Sequence, residues 1–546
     1  MLLAVSSVAA PLFFAPDEFV HADLAIRLAD DPHYPEHDGR RTSAAVKRVA
    51  IPYFGDDTRN PDMAAADAPP KAGRKDIRAL GGSGDDPGGS FNQQPQHPPL
   101  YYQSLGLVLR VERMVHPGAD PPALVTEVGL LRLVNAALLV LLPLAAWATA
   151  HRLGAARRTA ITAAALVLIV PQLTHIGSTI NNDNLLTALA SALAVLLAGV
   201  VCGNRSARTA ALVAVVTGLA LLTKAFALLL LPWIAVAYLV AARRRATRTR
   251  PADAPAPASP VERARAALDW PTVAVGVASG AGAALISGWW WVGNLIRTGS
   301  LAPSLEDQLV PTLPGFSPDT EFFALRFGAF FTERFWGWFG LFSARMPLWM
   351  IGLATAALVL VVVVGLTRPP VGLKRSDLWI QLVPVVGVGA FVVQHAWSIY
   401  ARSGQTPFIQ GRYLFAVIVP LLVVAAAGLS RIARRWSAVV AVAVGLALHA
   451  IGFATMLDGF WGAPGDGRRG EVRALVAWSA WPGESLGVGA VLGVVVGTAA
   501  IGVLALDLWR HDLAPRTAGP PPRPEPSGET PAVSPSRGSG AAEGDR

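Results

Sequence analysis

Two adjacent carboxylates, Asp17 and Glu18, follow an apolar run over residues 1–14 that contains no charge. Pro16 ends the helix that this run would form, so the two acids lie just beyond the hydrocarbon of a membrane. Ionisable side chains are costly in such surroundings. A carboxylate at a membrane edge can take a proton from a substrate or hold a cation, although Asp17 and Glu18 could also simply cap and end helices.

Further polar residues stand at the ends of later apolar segments. Asp183 opens one segment, where it could be an N-cap helped by Asn181 and Asn182, a ligand, or both, because the two roles are compatible. Lys224 lies between two segments, where it would either snorkel to the headgroups or take an anion as partner. Arg412 and Tyr413 would anchor a span in an aromatic belt, but the planar fork of Arg412 also suits a phosphate. The candidate substrate-binding residues are His21, His97, Asp183, Lys224, Arg412 and Tyr413.

The composition is that of a protein embedded in a membrane. Hydrophobic residues make up 53% and charged residues 15% of the 546 residues, and the mean hydropathy is +0.44. These values indicate a polytopic membrane protein rather than a large soluble core. The net charge of +9 does not indicate a nucleic-acid partner, because the arginines cluster in short loops and do not interleave with aromatic residues.

The apolar segments predict an all-α polytopic membrane protein with about 12 transmembrane helices. Residues 1–14 would form the first, but a helix of about 14 residues covers about 21 Å, less than a hydrocarbon core of ~30 Å. We therefore expect this helix to begin upstream of Met1; a signal peptide is the alternative, although it would need a basic start. The other predicted spans are 129–150, 160–176, 185–202, 210–223, 225–241, 272–292, 347–366, 378–396, 413–429, 438–456 and 486–508.

The loops predict how the chain is oriented and divided. Every second short loop is rich in arginine, as at residues 243–250. We expect the protein in the cytoplasmic membrane, where the positive-inside rule places both termini in the cytoplasm. Residues 15–128 then form a long extracytoplasmic loop with amphipathic interfacial helices and a mobile insertion. Residues 129–508 form the helix bundle, and 509–546 a disordered cytoplasmic tail.

An aromatic stretch over residues 321–342, EFFALRFGAFFTERFWGWFGLF, predicts an interfacial helix in an aromatic belt. The same surface would suit a groove for a long isoprenoid chain. The two interpretations are compatible, because both place the stretch where lipid meets water.

Taken together, these features resemble the GT-C superfamily of lipid-linked-sugar glycosyltransferases. They are a first span ending in an Asp-Glu pair, a long first outer loop, an Asp at the outer start of a later span and a basic residue between two spans. The chain is similar to the protein O-mannosyltransferase and aminoarabinose-transferase branches, and to uncharacterised bacterial membrane families with the same Pro-Asp-Glu (16–18), Pro-Pro-Leu-Tyr-Tyr (98–102) and Gly-Arg-Tyr (411–413) elements. The resemblance covers residues 1–508.

The resemblance implies transfer of a sugar, with inversion, from a polyprenyl-phosphate carrier to an extracytoplasmic acceptor. Asp17 would be the general base, with Glu18 in support. Asp183 would bind the acceptor or, together with Asp17, a divalent metal, and no other cofactor is implied. Lys224 and Arg412 would hold the carrier phosphate, whose charge grows as the glycosidic bond breaks.

Two other classes of protein remain open at the level of sequence. A secondary transporter commonly has about twelve spans, but it tends to have related halves and charges near the membrane midplane. Here we find no repeat between the halves, and the polar residues lie at helix ends. A non-catalytic component of the cell envelope, such as a scaffold or a polymer-export protein, would not depend on Asp17 or Lys224.

Overall fold

The computed structural model describes residues 1–54, 63, 65–116, 122–250, 259–260, 262, 266–305, 309–461, 467–508 and 510. The predicted disordered tail, apart from Arg510, lies outside the described residues, as do residues 55–62 and 64 of the predicted mobile insertion. The chain forms two compact units, Met1–Ala499 and Ala500–Arg546. All the candidate site residues belong to the first unit, and the second contains the end of the last helix.

Helices make up most of the described chain, and its one sheet is a small hairpin. Its first helices are α1 (Leu2–Ala9), α2 (Glu18–Asp30), α3 (Ala44–Phe54), α4 (Leu100–Val115), α5 (Leu124–Leu139), α6 (Leu142–Arg152), α7 (Arg157–Leu166), α8 (Pro171–Gly177), α9 (Asn182–Val201) and α10 (Ala207–Leu221). They are followed by α11 (Leu231–Thr249), α12 (Trp270–Thr298), α13 (Thr320–Trp336), α14 (Leu348–Thr367), α15 (Arg375–Ser403), α16 (Ile418–Ile432), α17 (Ser437–Phe460), α18 (Gly467–Trp478) and α19 (Gly483–Leu508). Short 3-10 helices include Ala225–Leu230 and Gly411–Val417, and the hairpin pairs β1 (Trp338–Phe339) with β2 (Ala344–Arg345) in antiparallel register.

Nine helices of the described chain are long and apolar enough to cross a membrane. They are Leu124–Arg152, Asn182–Val201, Ala225–Thr249, Trp270–Thr298, Leu348–Thr367, Arg375–Ser403, Gly411–Ile432, Arg434–Phe460 and Gly483–Asp507. A tenth arises if Arg157–Ile169 and Pro171–Gly177, which meet at a bend of 70°, count as one broken span. The all-α membrane class is therefore confirmed, whereas about twelve spans are not found among these residues.

With the broken helix counted as a tenth span, two predicted spans account for the difference between twelve and ten. The segment 1–14 is helical only over Leu2–Ala9, because Pro11 follows and Phe13 takes a left-handed backbone conformation with φ of 64°. The segment 210–223 forms α10, which has 15 residues and ends before Lys224 turns into an extended conformation. Both segments are apolar, but they are shorter than a straight span of ~20 residues.

A buried carboxylate fastens the first long loop. Asp23 of α2 is fully buried and accepts hydrogen bonds from Arg40, from the backbone N–H of Ser43 and from the side-chain amide of Asn92. Arg40 continues to Asp85, at 2.7 Å. Since these partners come from two parts of the loop, Asp23 holds the chain before α3 and the chain before α4 against α2.

The aromatic stretch 321–342 forms two elements rather than one helix. Helix α13 ends at Trp336, and the chain then turns through Gly337 into the hairpin. A Cβ atom on Gly337 would lie 2.3 Å from the sulfur of Met346. A larger residue at Gly337 would have to displace the Met346 side chain, so glycine fits the contact between the end of α13 and the returning strand.

Helices α14 and α16 cross at a pair of glycines. A Cβ atom on Gly428 would lie 1.7 Å from the carbonyl oxygen of Val361, and one on Gly365 would lie 2.4 Å from that of Val424. Small residues allow helix backbones to approach closely where lipid provides no hydrophobic drive for association. This contact supports the span that begins with Arg412.

We expect Gly428→Ala to destabilise the protein by ~1–3 kcal/mol, because the added methyl group forces the two helices apart. The matched control is Gly352→Ala in α14, where a Cβ atom has no neighbour within 4 Å. Thermal unfolding of both variants in the same detergent measures the difference. Equal unfolding temperatures would contradict the proposed crossing.

Candidate active site

Asp17 stands at the turn between α1 and α2. It is the residue before α2 and has a left-handed backbone with φ of 64°, a conformation that Asp tolerates better than most residues. Its Oδ2 accepts a hydrogen bond from Nη2 of Arg412 at 2.8 Å. The side chain of Asp17 is nevertheless 41% exposed, so one side of the carboxylate is fixed and the other is open.

Arg412 is brought to Asp17 by the close packing of Gly411 on α13. A Cβ atom on Gly411 would lie 2.1 Å from the carbonyl oxygen of Phe331 and 2.7 Å from the amide nitrogen of Phe335. Only glycine permits this approach. Arg412 is buried, and its Nε has no hydrogen-bond partner among the described residues.

Asp183 and Lys224 form a second ion pair. The Nζ of Lys224 lies 2.5 Å from Oδ1 of Asp183, and both side chains are buried. Oδ2 of Asp183 is also buried and has no hydrogen-bond partner within the described part of the chain. The N-cap interpretation of Asp183 is wrong, because Asn181 caps α9 by accepting from the backbone N–H of Asp183 at 2.9 Å.

The ring of Tyr413 joins the two ion pairs. Nζ of Lys224 lies 5.3 Å from the centre of this ring, and the guanidinium carbon of Arg412 lies 5.8 Å from it. The neighbouring ring of Phe226 is 4.8 Å from Tyr413 and 5.4 Å from the Lys224 ammonium. Both cations therefore lie within cation–π distance of the Tyr413 ring, whose π-electrons attract positive charge.

His21 and Tyr102 extend the constellation along α2 and α4. Tyr102 donates its only hydroxyl proton to Gln94 at 2.8 Å, so Nδ1 of His21, at 2.9 Å from the same oxygen, donates to it. Asn182, beside Asp183, donates to that oxygen as well, at 3.2 Å. Burial, followed by the charge of Lys224, lowers the pKa of His21, which leaves its Nε2 as an acceptor.

His97 lies within the electric field of both ion pairs. Its backbone carbonyl accepts a hydrogen bond from Tyr34 at 2.8 Å. Burial and then the Lys224 charge lower the pKa of the imidazole to about 3, while Asp183 and Asp17 act in the opposite direction. Residues from five separate chain regions therefore converge here: Asp17 with His21, His97, Asp183, Lys224, and Arg412 with Tyr413.

Glu18 lies beside Asp17 in sequence but belongs to a different cluster. It is fully buried, and both of its oxygens bind Arg132, at 2.7 Å from Nε and 2.6 Å from Nη2. One oxygen also accepts from the amide of Ile180 at 3.2 Å. Arg132 continues to the backbone carbonyls of Ser7, Ala10 and Pro11. Glu18 therefore ties the α1–α2 turn to α5 and to the segment before α9.

Sequence reasoning missed two arginines. Arg132 stands inside the predicted span 129–150, where a single charge in an apolar run was the available signal. Arg334 of α13 is buried over the rings of Phe330 and Phe342, at 4.7 and 4.0 Å. Burial, followed by the like charge of Arg412, lowers the pKa of Arg334 to about 10, so a third cation adjoins the constellation.

The donor set does not fit a divalent metal. Within the described ranges there is no group of three or more His, Cys, Asp or Glu side chains that could hold one. Asp17 and Asp183 each bind a protein cation already. A metal ion at either carboxylate would be repelled by the positive charge of Arg412 or Lys224. The proposed mechanism therefore contains no metal.

Comparison with known proteins gives one family and several distant structures. The family model described as "Predicted membrane protein (DUF2142)" matches residues 1–422. Among solved structures, ArnT from Cupriavidus metallidurans bound to undecaprenyl phosphate has a TM-score of 0.42 and 13% identity, over 88% of this chain and 75% of that one. Oligosaccharyltransferase from Archaeoglobus fulgidus in the apo form has a TM-score of 0.38 and 12% identity. This chain covers 59% of that oligosaccharyltransferase, less than two thirds of its length. TM-scores of this size do not establish a common fold, and a search of the curated proteins finds no match.

The two adjacent acids should respond differently to the same substitution. We expect Glu18→Gln to destabilise the protein by ~3–5 kcal/mol, because it leaves Arg132 buried without its carboxylate. Asp17→Asn should cost much less, since Asp17 is 41% exposed. Thermal unfolding of the two purified variants tests this, and similar losses for both would contradict the assignment of Glu18 as the structural acid.

Stability should also fall at acid pH because of His97. The folded pKa of about 3 lies below the unfolded value of 6.5, so the unfolded chain binds a proton that the folded chain does not. This contribution is complete above pH 6.5 and is lost as the pH falls towards 3. Unfolding temperatures from pH 7.5 to 4.5 should decline less steeply for His97→Gln than for wild type. His33→Gln, at an exposed histidine, should keep the wild-type slope, and an unchanged slope for His97→Gln would refute the effect.

Proposed function

The chain belongs to the DUF2142 family of membrane proteins, and we propose that it is an integral-membrane glycosyltransferase of the GT-C type. It moves a sugar from a polyprenyl-phosphate donor to an acceptor at the extracytoplasmic face of the cytoplasmic membrane. The observation that carries the proposal is the meeting of Asp17–Arg412 and Asp183–Lys224 around Tyr413. The transfer needs a carboxylate to take the acceptor proton and cations to stabilise the departing phosphate, and both kinds of group lie there.

Asp17 is the general base of the proposed reaction. Arg412 orients one carboxylate oxygen, and the exposure of the side chain leaves the other within reach of an acceptor hydroxyl. The acceptor O–H gives its proton to Asp17 while its oxygen attacks the anomeric carbon of the sugar. The bond from that carbon to the phosphate oxygen breaks, its electrons go to the phosphate, and the configuration inverts. A carboxylate suffices because it acts while this bond is already breaking.

Arg412 and Lys224 stabilise the departing phosphate. Arg412 and Lys224 each pair with a carboxylate, and Arg334 of α13 is a third buried cation, whose Nη1 donates to the carbonyl of Ile409 at 2.7 Å. The Nε–H of Arg412 also lacks a hydrogen-bond acceptor among the described residues. Fixed cations in a site that excludes water stabilise a developing negative charge more strongly than solvent does.

Asp183 is suited to a hydroxyl of the sugar or of the acceptor. Its unpaired Oδ2 is a buried acceptor, and leaving such an oxygen without a donor costs free energy. Glu18 acts as a positioning residue through Arg132, not as a second base, because both of its oxygens are occupied.

The aromatic face of α13 provides a surface for the isoprenoid chain. Phe322 and Leu325 are exposed on this helix, close in sequence to the buried Arg334. A polyprenyl tail in lipid could therefore rest on α13 while its phosphate reaches the cations. Such a surface corresponds to the isoprenoid groove expected from the aromatic residues of the stretch 321–342.

A secondary transporter is the second candidate. The 70° break between Ile169 and Pro171 favours it, because interrupted helices hold substrates in many transporters. The two ion pairs stand instead at the ends of spans, where a lipid-linked donor and a water-borne acceptor meet.

Asp17→Asn should reduce sugar transfer at least 100-fold, the scale expected for loss of a general base. The assay uses membranes supplied with radiolabelled polyprenyl-phosphate sugars and compares the variant with Asp38→Asn, an exposed acid of the same loop. The control should retain wild-type transfer. Equal transfer by wild type and Asp17→Asn would reject the assignment, and sugar uptake into vesicles without transfer would favour the transporter.

A further inference from the structure

An arginine-lined cavity of about 200 Å³ lies where α9 and α11 end and α12 begins. Helix α9 has 20 residues and therefore spans about 30 Å. Because Asp183 is in its first turn, the cavity is a full helix length away from the candidate active site. The residues that matter here are Cys202, Arg205, Arg244, Arg245, Arg248 and Thr272.

The arginines reach the cavity from two directions. Arg244, Arg245 and Arg248 stand in the last two turns of α11, where residues three and four positions apart share one side of the helix. Arg205 comes from the loop after α9, which turns at Gly203 with φ of 105°. The cavity therefore collects positive charge from separate elements.

The acids nearby do not neutralise this charge. Arg244 binds Asp377 and also donates to Ser376. Arg205 and Arg245 lie 3.8 and 3.7 Å from a single oxygen of Asp269.

These two distances are longer than a hydrogen bond. The oxygen of Asp269 already accepts from the backbone and the hydroxyl of Thr272, at 3.1 and 2.5 Å, as the N-cap of α12. Arg248 makes no ion pair or hydrogen bond with any described residue. Within the described part of the chain, four arginines thus face two carboxylates.

A purely structural role explains only part of the arrangement. Cations near helix C-termini interact favourably with the helix dipole, and Arg244 does donate to the carbonyl of Val201 at 3.2 Å. Arg205 directly precedes Ser206, the N-cap of α10, where a positive charge gains nothing from the helix dipole, and Arg248 has no anionic partner among the described residues. A surface that served only to fix orientation would need the charges but not a cavity between them.

We propose that this cavity binds a phosphate group at the cytoplasmic membrane surface. The phosphate belongs either to the headgroup of an anionic phospholipid or to a small soluble phosphate. Guanidinium groups bind phosphate oxygens in pairs, and basic pockets between spans on the cytoplasmic side hold lipid headgroups. A volume of 200 Å³ exceeds the ~30 Å³ share of one water molecule several times. This site does not depend on the proposed glycosyl transfer.

The single cysteine of the chain reports on the cavity directly. Cys202 is exposed and lines the cavity, and no other residue of the sequence is a thiol. The full chain in phosphatidylcholine nanodiscs is labelled with N-ethylmaleimide, and the rate is followed by mass. We expect labelling to slow at least threefold when the nanodiscs also contain phosphatidylglycerol, or when inorganic phosphate is added. The reference for inorganic phosphate is sodium chloride at the same ionic strength.

Two double variants separate binding in the cavity from general surface charge. Arg245→Gln with Arg248→Gln should abolish the slowing, whereas Arg431→Gln with Arg435→Gln, at exposed arginines around the end of α16, should retain it. Each variant is compared with itself with and without the anion, after its unfolding temperature has been checked. Slowing by phosphatidylglycerol alone identifies a lipid, and slowing by inorganic phosphate identifies a soluble ligand. No slowing with either anion, or equal slowing in both double variants, overturns the proposal.

Discussion

The buried ion pair between Glu18 and Arg132 is the constraint on which the rest of the candidate site depends. Arg132 binds both oxygens of Glu18, the carbonyl oxygen of Ser7 in α1 and two carbonyl oxygens of the chain between α1 and α2. A guanidinium group has five N–H donors in a rigid plane, so one side chain can satisfy several acceptors in a turn that has no helix of its own. The turn is held in this way, and Asp17 is its last residue.

The site itself is an arrangement of charges kept in a poorly solvated environment. Moving charges out of water is expensive, and a pair of opposite charges offsets that cost only when the geometry is good. Asp17 with Arg412 and Asp183 with Lys224 meet this condition, and the ring of Tyr413 lies beside both cations. In the proposed reaction, the cations already in place beside the two carboxylates would offer an incoming phosphate fixed donors without reorganisation of water.

Backbone contacts position these charges as much as side chains do. Gly411 allows α13 to press against the start of the span that carries Arg412, and Gly428 allows α14 to cross the same span. A larger residue at either position would displace the helix and, with it, Arg412. Helix α9 connects this site to the arginine-lined cavity, since Asp183 opens it and Cys202 follows its last residue.

The sequence alone determined the all-α membrane class and most of the apolar spans, because hydropathy and helix length are local properties that the bilayer imposes. It also indicated that Asp17, Asp183, Lys224 and Arg412 stand at span ends. It did not determine the partners. The pairing of Asp17 with Arg412 joins residues 395 positions apart, and Glu18 differs from its neighbour only because α5 brings Arg132 to it. Only the tertiary structure decided which acid is occupied and which is open, since that depends on packing between distant helices and leaves no periodic pattern in the chain.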